Sequence, residues 1–219
     1  MTSNPPPSEE TKGRKRPWYL VVALVLVSLT GVTAAAEGCG MVGYYRGTLP
    51  LVDQPIGDGV TDEDRALIQS AALQVEAARE QDRRILFPLA AGGLVLGMAM
   101  FAFATAAMAG RDGARRAVTQ LVAVRAVMLA VEFMTTKRER EAEQELRRAH
   151  LVADIRATHI SQAEQMIAQN DASLKRFGPS VAVGYVVVKI LAFGLVVLAL
   201  TRQRTRAFYE AAGEALADD

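Results

Sequence analysis

The side chains best able to do chemistry lie where the chain is most apolar. Arg125 and Glu132 interrupt a stretch from Ala117 to Thr136 that is otherwise rich in Leu, Val, Ala and Met, and Lys189 interrupts a run from Val181 to Leu200. An ionisable group inside hydrocarbon is costly, so it marks either an ion or proton path or an internal salt bridge holding helices together. Arg125 and Glu132 are two turns apart on one helix face. Lys189 would differ in depth from Glu132 by about four residues, or ~6 Å, which an extended lysine covers. The expected intramembrane polar set is therefore Arg125, Glu132 and Lys189, with Glu132 meeting Lys189. A structural bridge is the preferred reading, because transport sites usually need more spans and a broken helix.

Other reactive types are poorly placed for catalysis or metal binding. His150 and His159 do not share the three- or four-residue step that puts two ligands on one helical face, so no metal pair is expected. Ser161 and Asp154 lie near His159 without a strand-turn-helix nucleophile motif, and no Gly-rich phosphate loop is present. Cys39 is the only cysteine, which rules out an intrachain disulfide and a thiol pair. The expectation is a non-enzyme with no cofactor and no metal. A formal net charge of +1, with the basic residues gathered beside the apolar runs, gives no basis for nucleic-acid binding.

The elements that must position these groups are set by three long apolar runs, Trp18 to Ala36, Ile85 to Gly110 and Val181 to Leu200, each able to cross ~30 Å of hydrocarbon as a helix. They occupy so much of the chain that no sizeable water-soluble core remains. The stretch 117–136 is harder to place: Arg125 near mid-helix costs about 2.5 to 3.5 kcal/mol, whereas each Leu, Val or Phe returns only about 0.3 to 0.6. Alone it is marginal. The fold class expected is all-α, an integral membrane bundle of four transmembrane helices with two extramembrane helical connectors. The alternative has three spans and a cytoplasmic helical region.

Positive charge bears on this choice and gives conflicting answers. Four spans put Lys12 to Arg16, the turn Arg111 to Arg116, and Arg202, Arg204 and Arg206 on the cytoplasmic side, each cluster against a membrane end. Three spans export the last of these. Four spans place the basic residues between Lys137 and Arg176 outside, but that segment is also rich in Glu and Asp. The four-span reading divides the chain into a disordered basic tail (1–16), a first span (17–36), an extracytoplasmic loop and helix (37–84) and a second span (85–110). A basic turn (111–116), a marginal third span (117–136), a helical connector (137–180), a last span (181–200) and a C-terminal tail (201–219) complete it. The basic cluster, apolar run and Ala34-Ala35-Ala36 also match a secretory signal, but the length favours an uncleaved anchor.

Local signals refine the elements. Glycines and prolines from Gly38 to Gly59 predict an irregular loop. Thr61 offers an N-cap, with Asp64 three residues on, to a helix that enters the second span, where Pro88 predicts a kink. Gly93, Gly97, Ala102 and Ala106 recur on a small-residue pattern suited to close helix contact. From Lys137 to Phe177 the chain lacks Gly and Pro, and Leu146, Ala153, Ile160, Ile167 and Leu174 form a narrow apolar seam, expected to pack near Leu67, Ala71 and Val75. Gly178-Pro179 should stop that helix.

These features point to a small multi-pass protein of a bacterial-type inner membrane, N-terminus cytoplasmic, acting as an interaction or assembly component. Its expected partners are the lipid bilayer and another membrane protein or a second copy. An ion or small-solute pathway through Arg125, Glu132 and Lys189 is the alternative, and a signal-sensing membrane protein the second.

Overall fold

The computed structural model describes residues 16–47, 60–158 and 162–217, and among these the regular structure is entirely α-helical. The chain order is α1 (Trp18–Tyr45), α2 (Asp62–Gln81), α3 (Arg83–Met108), α4 (Asp112–Thr135), α5 (Lys137–Thr158), α6 (Ala163–Thr201) and α7 (Gln203–Ala217). Four stretches are long and apolar enough to cross a membrane: α1, α3, α4 and Ser180–Thr201 of α6. The protein is therefore an all-α, multi-pass membrane bundle in contact with lipid, and the marginal stretch around Arg125 is one of the four helices of that bundle.

The spans alternate in direction. Arg16, just before α1, donates to the Met108 carbonyl at the end of α3, so these two helices run antiparallel. A tight turn at Gly110, whose φ of 89° suits a residue without Cβ, sends the chain back as α4. The end of α6 returns to the start of α4, where Arg115 Nη1 donates to the Leu200 carbonyl at 2.9 Å. Leu20, Leu24, Val27, Met100, Val118, Val122 and Leu200 fill the core between the spans, each almost fully buried. The region 201–219, read as a tail, contains α7, which folds under this end. Tyr209 is completely covered there and donates to the Ala107 carbonyl at 2.8 Å. Burial raises its pKa above the ordinary tyrosine value, which keeps it a donor.

At the opposite end α2, α5 and the first half of α6 form a helical platform. Thr61 caps α2 as expected, accepting from the Asp64 amide, and its hydroxyl donates to the Asp64 carboxylate at 2.8 Å. Ile68 and Ala71 pack on Ala149 and Ala153, with Leu146 partly buried beside them. The expected seam thus holds for Leu146, Ala153 and Ala71. Leu67 is instead exposed, because Ile68 takes the inner face, and Ala149, outside the expected seam, joins the contact. Ile160 lies outside the described residues.

Four boundaries differ from the sequence reading. Helix α1 does not stop at Ala36 but continues through Gly38, Gly40 and Gly43 to Tyr45, because Gly38 is buried against α3 and packing outweighs glycine's weak helix preference. Gly47, with φ of 70°, is the residue that ends it. The helix begun at Thr61 breaks at Asp82 before α3, since α2 packs on α5 whereas α3 packs on α1. Pro88 lies inside a continuous α3. The stretch 137–177 is not one helix: α5 ends at Thr158 and α6 starts at Ala163, so two helices face each other. Finally, Gly178-Pro179 does not stop the helix. Helix α6 runs unbroken for 39 residues, with one missing intrahelical bond tolerated inside a long helix.

Candidate functional site

Two of the three polar groups expected within the membrane, Arg125 and Glu132, line a cavity of about 390 Å³ where the spans meet the platform. Helix α4 supplies Arg125 and Glu132, α1 supplies Glu37, α2 supplies Arg79, and α5 supplies Glu139, Arg140 and Glu143. Arg125 is 7% exposed, and its Nη1 lies 2.7 Å from Glu132 Oε1. The two-turn spacing makes this work: Arg125 extends along its own helix toward the platform and reaches the carboxylate above it. Its position is about 15 Å below Thr135 by helical rise.

The expected meeting of Glu132 with Lys189 does not occur. Glu132 is taken by Arg125, and the Lys189 ammonium sits over the Tyr185 ring, 4.4 Å from its centroid, one turn away on the same helix. A partner within the same helix costs no interhelical approach, and although Tyr185 and Val186 of α6 line the cavity beside Glu132, Lys189 is held along its own helix. Arg125 and Glu132 are brought together; Lys189 is not part of their cavity.

Above this pair lies a second charged set that sequence reasoning missed. Arg79 Nε is 2.6 Å from Glu139 Oε1, and its Nη2 is 2.8 Å from Glu143 Oε1. Burial alone would lower the Arg79 pKa; the bonds and charges of Glu139 and Glu143 more than offset it, and the net direction is upward. Arg156 binds the fully buried Asp64 at 2.7 Å, and Arg148 clasps Asp171 through two nitrogens. Hydrogen bonds donated to those carboxylates push both guanidinium pKa values up. Glu143 also has Arg147 four residues on in its own helix, at 3.9 Å. The closer partner is Arg79, too distant in sequence for any local pattern to announce it.

The small-residue positions separate into two groups. A Cβ on Gly97 would lie 2.5 Å from the Gly31 carbonyl oxygen and 2.6 Å from the Ala35 nitrogen, so α1 and α3 touch backbone to backbone. Gly93 is buried and faces Met128 of α4. Ala106 is half-buried at the edge of the core, whereas Ala102 is exposed. The inward row is Gly93, Gly97, Met100, Ala104 and Ala107, which alternates steps of four and three. Ala102 comes five residues after Gly97, a rotation of about 140° around the helix, which carries it off the contact face.

Comparison with known proteins finds no matching family model, no matching curated protein and no matching solved structure. The charges themselves therefore carry the functional reading. Around the cavity they are mostly matched in pairs: Arg125 with Glu132, and Arg79 with Glu139 and Glu143.

Proposed function

We propose that this chain is a non-catalytic interaction or assembly component of a membrane, which holds a braced helical platform beside the bilayer for another membrane protein or a second copy. The observation that carries this is the spending of charge on bracing. Arg79 ties α2 to α5, Arg156 ties α5 back to the start of α2, and Arg148 ties α5 to α6. A platform fixed in this way presents one surface, and preorganised surfaces lose less on association. Extracting the protein directly into lipid particles and measuring their mass tests it. The expected particle contains a second polypeptide or a second copy; a single-copy particle that yields no crosslinks overturns the reading.

We place the platform outside and the α7 end in the cytoplasm of a bacterial-type inner membrane. Support comes from Arg16, Arg115 and Arg202, which converge at the α7 end through Met108, Leu200 and Tyr19. With Cys39→Ser removing the natural thiol, a cysteine at exposed Gln165 should react with an impermeant maleimide in intact cells. Labelling only after lysis reverses the orientation.

The cavity beside Arg125 supports a second reading, a path for an ion or small solute. In proteoliposomes that reading requires flux abolished by Arg125→Gln with the fold retained. Absence of flux in the unaltered protein removes it.

A further inference from the structure

Two cations near the head of the last span have no carboxylate partner among the described residues. Arg140 lies in the first turns of α5, just past the membrane-spanning α4. Its Nη1 donates to the Phe133 carbonyl and to Thr136 Oγ1, and its plane rests 4.0 Å from the Phe133 ring centroid. These contacts fix the guanidinium while leaving Nε and Nη2 unengaged. Lys189 is the second, turned back along α6 over Tyr185.

Arg140 also stands between two cavities. One is the 390 Å³ space above Arg125; the other is a groove of about 650 Å³ between α5 and α6. Arg140, Glu143, Ala182 and Tyr185 line both, so the spaces adjoin there. The groove's other arginines are committed, Arg147 toward Glu143 and Arg148 to Asp171. Its lower wall is apolar and belongs to the span: Val181 is 67% exposed, and Tyr185 and Phe177 are more than half exposed. Within the span, Phe193, Val196 and Leu200 are buried in the core and Val186 is partly buried against it, whereas Val181, Tyr185 and Val188 face outward, so this wall opens sideways to lipid.

We propose that this groove binds one phospholipid with an anionic headgroup, its phosphate on the free edge of Arg140 with Lys189 adding charge, and an acyl chain along Val181 and Tyr185. A guanidinium fork matches phosphate geometry, and basic pockets at the membrane boundary suit anionic headgroups. A soluble anion would have no use for the apolar wall. The inference rests on the membrane-spanning fold and is independent of the assembly role.

A bimane fluorophore on Val181→Cys, in the Cys39→Ser background and in nanodiscs, reports the occupant without altering Arg140. Brominated phosphatidylglycerol should be preferred as quencher over brominated phosphatidylcholine by about tenfold, because both carry the phosphate but only choline brings a further positive charge against Arg140. Arg140→Gln should bring the preference near unity, Arg140→Lys should keep part of it, and Arg204→Gln at the opposite end should leave it unchanged. Equal quenching by the two lipids in the protein with Arg140 intact overturns the site, as does a preference that survives Arg140→Gln. Loss of the preference to millimolar glycerol phosphate would make it a soluble-anion site and sink the lipid assignment. If Arg140→Gln fails to fold, native mass spectra of the unsubstituted chain decide: one retained phosphatidylglycerol from a mixed micelle supports the site, and indiscriminate retention overturns it.

Discussion

Glycines occur in both halves of the membrane bundle and do opposite things there. In the α1 and α3 half, Gly31, Gly38 and Gly97 let two backbones touch, and a Cβ on any of them would lie under 3.0 Å from main-chain atoms. In the α6 half, a Cβ on Gly184 or Gly194 would meet nothing within 4 Å. The difference lies in the neighbour: α3 has a partner along its length, while α6 has little against it between Ser180 and Lys189. The backbone contact of the closed half is uncharged, and Glu37 of α1 lines the cavity instead. The open half is where Arg125, Glu132, Arg140 and Lys189 gather, since only beside a cavity can a charged group keep some solvation.

The largest effect that would break this comparison is expected at Gly97. Gly97→Val should destabilise the fold by more than about 3 kcal/mol, because backbone cannot move aside as a side chain can, read as a lower midpoint in SDS-driven unfolding from mixed micelles. A midpoint within error of the unsubstituted protein would deny the close contact. Next, Glu132→Ala should cost about 3 kcal/mol by leaving Arg125 buried without its carboxylate, and replacing both, Arg125→Met with Glu132→Leu, should recover most of it. A double variant as unstable as the single would show that more than the pair is at stake. Asp64→Ala should cost about 2 kcal/mol, less because Arg156 is partly exposed, and should appear first as faster hydrogen exchange in α2. Exchange unchanged in α2 would remove Asp64 as a brace. The smallest effects sharpen the contrast. Gly184→Ala should stabilise by up to about 1 kcal/mol. Tyr45→Phe, which deletes a buried hydroxyl that has no hydrogen-bond partner among the described residues, should be neutral or stabilising by about 1 kcal/mol. A loss at either position would mean that it has an unseen contact.

Much of this architecture is legible without coordinates because it depends on local quantities. Apolar length reveals the spans, Thr61 and Asp64 announce the start of α2, and the spacing of Arg125 and Glu132 places them on one face. What is not legible depends on the neighbour. The glycines from Gly38 to Gly43 look like a loop until α3 lies against them, and Gly178-Pro179 looks like a stop until the helix on both sides is long enough to absorb a lost bond. Ala102 looks like the next member of the Gly93 and Gly97 row, but the packed row follows the partner helix and alternates its step. Glu132 could equally have met Lys189, and it is the reach of Arg125 to Glu132 and of Lys189 to Tyr185 that decides against it. Arg79 and Arg140 carry no local mark at all; their roles arise when α2 and α5 come together at the membrane boundary.

Continuity through Gly178-Pro179 has a mechanical consequence. A helix of 39 residues is about 58 Å long, nearly twice the thickness of the oily layer. The bilayer grips only its lower portion, and the remainder projects as an arm clasped to α5 by Arg148 and Asp171. With its foot held by α7 and its arm clasped to α5, such a rod joins the span to the platform with no loop between them.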